Sequence, residues 1–88
     1  MFRLWGKVLK DNHLIKDFVI CDDSNETRTH KVNNGLRDIC YEFDLGVPIW
    51  LDKNINEFKR IAKTRFYSDS FVESIDFDYL EIQIIEEA

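Results

Sequence analysis

The sequence predicts an α+β fold: one mostly antiparallel sheet, made of an N-terminal β-hairpin and a C-terminal strand, with two helices packed on one face. Three observations predict it. Apolar residues alternate with polar ones at both ends of the chain, over Phe2–Val8 and over Ile75–Glu86, and alternation is the signature of a strand with one buried face. Between them Val32, Leu36, Ile39, Cys40 and Phe43 recur at helical spacing, the pattern of one buried helix stripe. The 88 residues include only three glycines and one proline, which leaves little room for irregular loops. The expected order is β-β-α-β-α-β within a single domain, residues 1–88.

The first strand is Phe2–Val8. Phe2, Leu4 and Val8 share one parity with Gly6 among them, and a glycine on an apolar strand face marks a bulge or a close neighbour. Lys10, Asp11, Asn12 and His13 carry turn chemistry, because Asp and Asn tolerate the left-handed region. The second strand, Leu14–Cys21, ends in the run Phe18, Val19, Ile20, Cys21, which suits a strand covered on both faces. Asp22–Thr29 is polar and reads as a loop, with Thr29 as the helix N-cap. Asn33, Asn34 and Gly35 are poor helix formers, so the helix is expected to begin late, near Asn34. Gly46 is expected to end it in the left-handed conformation, before Pro48 blocks continuation.

Ile49–Leu51 reads as a short strand or docked extended piece after the proline. Asn54 followed by Glu57 fits a capping box for a second helix, with Ile55, Phe58, Ile61 and Ala62 as its buried stripe. Residues 64–67 are expected to be extended, Ser68–Ser70 a turn and Phe71–Ser74 one helical turn. The last element, Ile75–Glu86, changes parity midway. Ile75, Phe77 and Tyr79 lie on one face, whereas Leu80, Ile82 and Ile84 belong to the other. A regular strand cannot turn both sets to one core. Either a bulge near Tyr79 re-aims it, or an aromatic patch of Phe77 and Tyr79 is left on the outer face.

Composition narrows the function. The formal net charge is −5, and it is unevenly spread. All twelve Lys and Arg lie between Arg3 and Arg65, against ten acids, while residues 66–88 hold seven acids and no cation. This balance argues against a general nucleic-acid binder, whose affinity comes from clustered cations. No run reaches the ~18 apolar residues of a membrane span, and no apolar segment at the start resembles a signal peptide. The compartment expected is the cytoplasm, without membrane contact. Cys21 and Cys40 sit in apolar surroundings and read as reduced core residues.

No motif carries catalysis. His13 and His30 stand in no metal-ligand spacing with the cysteines, so no metal or other cofactor is expected. Asp76 and Asp78 share a strand face and read as a solvated pair rather than a proton-sharing one. There is no phosphate-binding glycine loop and no nucleophile elbow, so no catalytic residue is assigned. Lys59, Arg60, Lys63 and Arg65, followed by Phe66 and Tyr67, form the densest basic cluster. Such a cluster suits single-stranded nucleic acid, but it also complements a helix C-terminus and the acidic last strand. Trp50 is expected to be a core anchor.

Several segments carry a resemblance. Leu4-Trp5-Gly6-Lys7, Asp44-Leu45, Pro48-Ile49-Trp50-Leu51, Lys53-Asn54, Glu57-Phe58, Thr64-Arg65-Phe66, Asp69-Ser70-Phe71 and Phe77-Asp78-Tyr79-Leu80-Glu81-Ile82 resemble a group of small uncharacterised bacterial proteins, mainly from Gram-positive anaerobes. That group often carries histidine where this chain has Ser70, so no histidine-based site transfers here. The resemblance supports the fold and the cytoplasm and implies no activity.

The function expected from the sequence is therefore a small non-enzymatic protein-interaction module using the sheet surface or edge of the C-terminal strand. Its contact residues are expected to be Asp76, Phe77, Asp78, Tyr79 and Glu81. The partner would be another protein, or a second copy by strand pairing along the last strand. A nucleic-acid module through Lys59, Arg60, Lys63 and Arg65 is the alternative, and a small enzyme with a carboxylate cleft is the third.

Overall fold

The computed structural model describes residues 1–87. Strands β1 (Phe2–Lys10) and β2 (His13–Asp22) form the N-terminal hairpin, followed by helices α1 (Arg28–Glu42) and α2 (Asp52–Ile61). Strand β3 (Lys63–Phe66), a 3-10 turn at Ser68–Ser70 and strand β4 (Tyr79–Glu86) complete the chain. The four strands form one fully antiparallel sheet in the order β2-β1-β4-β3. The α+β class, the hairpin and the two helices match the sequence expectation. The order does not: the piece at Ile49–Leu51 is no strand, and the third strand follows both helices.

One face of the sheet is covered. Phe2, Leu4 and Val8 of β1, Phe66 of β3 and Leu80 and Ile82 of β4 are buried with Val32, Leu36, Ile39, Cys40 and Phe43 of the first helical segment and Phe58 of the second. The position of α1 is set by Gly6 and Gly35. A Cβ on Gly6 would stand 2.5 Å from Cγ2 of Ile39, and one on Gly35 would stand 2.9 Å from Cδ2 of Leu4. Gly6 thus marks close helix–sheet approach, one of its two expected roles. Trp50 is half-buried and meets the rings of Phe58 and Phe66 edge-on, at 5.5 and 5.1 Å between centroids.

The hairpin closes through Asp11 and Asn12, both at positive φ (52° and 65°), the backbone twist favoured by two-residue hairpin turns. Several boundaries differ from expectation for local reasons. Thr27, not Thr29, caps α1, its hydroxyl accepting from the His30 N–H at 3.2 Å. The helix starts at once and tolerates Asn33 and Asn34, because Val32, Leu36 and Ile39 buy it tertiary packing that outweighs propensity. Asp44 (φ 57°), not Gly46, takes the left-handed conformation behind it.

Asn54 lies inside α2 rather than ahead of it. Its Oδ1 accepts from the Leu51 N–H at 3.1 Å, and its Nδ2 donates to Thr64 Oγ1 and the Arg65 carbonyl, each at 2.9 Å. A residue that reads as a cap is a buried clamp between α2 and β3. The stripe of α2 is correspondingly thin: Phe58 is buried, while Ile55 and Ile61 are exposed. Cys21 is also exposed, and only Cys40 is buried. The apolar run at the end of β2 is covered on one face alone, because among the described residues no element packs over its other face.

Candidate functional site

Resolution of the parity conflict in the last segment defines the candidate site. Residues 71–78 form neither a helical turn nor a strand. This irregular stretch lets Phe77 turn toward the core, where its ring meets Phe71 at 5.9 Å. Regular pairing begins only at Tyr79, so no bulge is needed there. From that point Leu80 and Ile82 point into the core and Tyr79, Glu81 and Gln83 onto the opposite, uncovered face. The register irregularities lie elsewhere, between Val8 and Leu9 against β2 and between Arg3 and Leu4 against β4.

The register builds the open face in rows, of which three lie beyond the terminal row Cys21–Arg3–Glu86. Across one row run Val19, Trp5, Gln83 and Lys63; across the next Asp17, Lys7, Glu81 and Arg65; across the third Leu14, Leu9 and Tyr79. Tyr67, just beyond β3, extends the third row, its ring centroid 5.5 Å from that of Tyr79. The middle row alternates in sign from one edge of the sheet to the other.

Glu81 is the keystone of that row. It is 4% exposed, yet it faces away from the core. Its carboxylate accepts from Lys7 Nζ at 2.7 Å and from Arg65 Nε at 2.9 Å. Burial alone would raise its pKa; the hydrogen bonds and charges of Lys7 and Arg65 outweigh this and hold it below the ordinary carboxylate range. The same contact raises the Arg65 guanidinium. The aromatics seal the pairs. Lys7 Nζ sits 4.0 Å from the Trp5 ring centre, and the Arg65 guanidinium 4.6 Å from that of Tyr79. Trp5 donates its indole N–H to Asp17 at 2.9 Å. Cations stacked on aromatic faces contribute attraction beyond their ion pairs.

The five residues expected at a partner surface are divided by this arrangement. Tyr79 and Glu81 lie on the open face. Phe77 packs toward the core, so the outward pair Phe77–Tyr79 does not exist. Asp76 is exposed, and Asp78 accepts from the Asp11 N–H at 2.9 Å, tying the irregular segment to the hairpin turn. The last strand also has no free edge. β4 pairs with β1 on one side and β3 on the other, and Ile84 N–H donates to the Ala62 carbonyl beyond the end of β3. Strand pairing along β4 is thereby corrected: the long free edge belongs to β2.

The basic cluster is divided as well. Arg65 is committed to Glu81, and Lys63 lies beside it on the open face. Lys59 lines a groove between the helices with Arg28, Val32, Trp50, Ile55 and Phe58, and Arg60 is exposed on α2. Among the described residues no three His, Cys, Asp or Glu side chains converge to hold a metal ion. Ser70 is fully buried and its hydroxyl finds no partner, while its carbonyl accepts from Ile49 N–H at 2.7 Å. No helix among the described residues is long and apolar enough to cross a membrane.

Trp5, Lys7, Leu9, Leu14, Asp17 and Val19 are among the site residues that sequence reading missed. The parity of Trp5, Lys7 and Leu9 opposite Leu4 and Val8 was visible; their union with Asp17, Tyr79 and Glu81 required the strand order. The chain matches no protein-family model, no curated protein and no solved structure.

Proposed function

We propose that this chain is a non-enzymatic protein-interaction module whose contact surface is the open face of its sheet. The observation that carries the reading is the combination of that uncovered face with its content. Leu9, Leu14, Tyr67, Tyr79, Trp5 and Val19 flank a row of charges that balance one another. Interfaces of this kind favour aromatics, with charges paired rather than free. The acid held most tightly, Glu81, is saturated by two cations on a flat sheet, which favours a scaffold over general acid–base chemistry. The nucleic-acid alternative has weaker support, because its four cations are spread from the helix groove to the sheet and Arg65 is neutralised by Glu81.

In-cell photo-crosslinking tests the reading. A photoreactive residue placed at Leu14 or Tyr67 is expected to trap a protein adduct. The same group at Tyr41 (87% exposed) or Val72 (89% exposed), both away from the open face, is expected to trap none. Equal trapping from all four positions, or trapping from the control positions alone, refutes the open face as the contact surface.

A further inference from the structure

The geometry points to a second copy of this chain as the occupant of the open face, packed sheet against sheet about a two-fold axis parallel to the strands. This inference rests on the protein-binding reading above and names its partner. A two-fold axis in that direction keeps each row opposite itself but reverses its order. The middle row, Asp17–Lys7–Glu81–Arg65, then meets Arg65–Glu81–Lys7–Asp17. Asp17 stands over Arg65 of the other copy with opposite sign, and Lys7 over Glu81; because Glu81 is 4% exposed and already bonded to Lys7 and Arg65 of its own copy, the contact that carries the complementarity is Asp17–Arg65, made twice. The other in-plane axis, across the strands, would set Asp17 over its own copy and Arg65 over its own, like charge on like, which interfaces avoid. The self-complementarity arises because the row has an even number of alternating charges.

Of the two flanking rows, one obeys the same rule, while the other sets Gln83 over Trp5 and Lys63 over Val19. Leu14–Leu9–Tyr79–Tyr67 meets its reverse, so Tyr79 lies over Leu9 and Tyr67 over Leu14, apolar on apolar throughout. The face is charge-balanced along its middle row although the whole chain carries −5, so two copies meet there without the repulsion the net charge implies elsewhere. Aligned packing of two twisted sheets is a standard geometry, with strand directions within about 30° of each other. Four strands about 4.8 Å apart, of 10, 9, 8 and 4 residues, give a footprint of roughly 500 Å² per copy. That is the low end for a specific interface, so association should be reversible rather than obligate.

The test is sedimentation equilibrium on the full chain from about 10 to about 500 μM. The wild type is expected to be a reversible dimer. Asp17→Lys sets a lysine over Arg65, and Arg65→Asp sets an aspartate over Asp17. Each contact occurs twice in a symmetric dimer, so each variant should weaken association by about 100-fold while circular dichroism stays that of the folded chain. Mixed in equal amounts, the two variants restore every opposite-sign contact and should form a heterodimer that neither forms alone. Should Arg65→Asp fail to fold beside Glu81, disulfide trapping replaces it in a Cys21→Ser background. Leu14→Cys and Tyr67→Cys chains should cross-link to each other and not to themselves, since like positions lie about 14 Å apart across the dimer. A chain that stays monomeric throughout the range overturns the second copy as occupant and leaves the face to a different protein, which crosslinking from Leu14 and Tyr67 would still report. A dimer indifferent to both charge variants, as one joined along the β2 edge would be, also overturns it.

Discussion

Glu81→Gln isolates the contribution of the keystone acid. The variant keeps the shape and one acceptor oxygen but removes the charge that Lys7 and Arg65 share. Hydrogen bonds to charged groups contribute about 1.5–3 kcal/mol each when their partner is shielded. The discount here comes from the cations: the Lys7 and Arg65 side chains are 18% and 46% exposed, so both recover much of their hydration when the carboxylate is lost. The expected cost is therefore about 1–2 kcal/mol at neutral pH, read as a loss of roughly 4–16 °C in Tm for a domain of this size. The loss should depend on pH with a definite sign. The folded-state pKa of Glu81 lies below its ordinary value of 4.5. Its stabilisation is therefore fully present above about 4.5 and is lost as pH falls through the depressed folded value. Urea titrations of both proteins should diverge above pH 5 and converge in stronger acid. A gap below about 0.3 kcal/mol at pH 7, or one that persists unchanged in acid, would refute the claim that the carboxylate is held ionised by its two neighbours.

Three further outcomes follow from the packing and the caps. Gly6→Ala forces a methyl to within 2.5 Å of Ile39 Cγ2 in the core; overpacking of about 1–3 kcal/mol should exceed the ~0.5–1 kcal/mol that alanine gains over glycine in a strand, so a chemical-denaturation midpoint at or above wild type would contradict the close approach. Ala62 ends α2 at φ 54°, where an L-residue is strained by about 1–2 kcal/mol; Ala62→Gly should raise stability by about 0.5–1 kcal/mol after its extra unfolded-state entropy is subtracted, and a lower Tm would count against that strain. Burial pushes the Cys40 thiol up to about 12, whereas Cys21 is exposed; a thiol reagent at pH 8 should label one cysteine per native chain and the second only on unfolding, and rapid labelling of Cys40 in the native protein would contradict its burial.

Local chemistry was enough to read the hairpin, the first helix and the extended piece at residues 64–67, because each is specified by neighbours in sequence. Phe2, Leu4 and Val8 alternate, Asp11 and Asn12 suit a left-handed turn, and Val32 to Phe43 keep one stripe. The failures share a different cause. Asn54 looks like the residue ahead of the helix, yet it sits inside α2, where its Oδ1 accepts the N-cap Leu51 N–H and its Nδ2 reaches Thr64 and Arg65, ten and eleven residues away. Gly46 looks like a helix stop, but Asp44 takes the left-handed position two residues earlier, and aspartate reaches that conformation more readily than most residues. Ile55 and Ile61 look buried because helical periodicity cannot say how much of a helix its neighbours cover. For Asn54, Ile55 and Ile61 tertiary partners decided between two locally reasonable assignments.

The candidate site shows the same limit more sharply. The parity change after Tyr79 announced that one set of side chains would face away from the core, and the acidic strand beside a basic segment anticipated the Arg65–Glu81 pair. What no single segment contains is the order β2-β1-β4-β3. That order sets Asp17, Lys7, Glu81 and Arg65 in one alternating line, with residues drawn from four strands separated by as many as 74 positions in sequence. An order such as β1-β3-β4-β2, with the same residues pointing outward, would set Lys7 beside Arg65 and Glu81 beside Asp17 and lose the alternation. The alternation is thus a property of topology rather than of composition. It explains how a chain with an excess of acid can present a row of charges in which neither sign dominates.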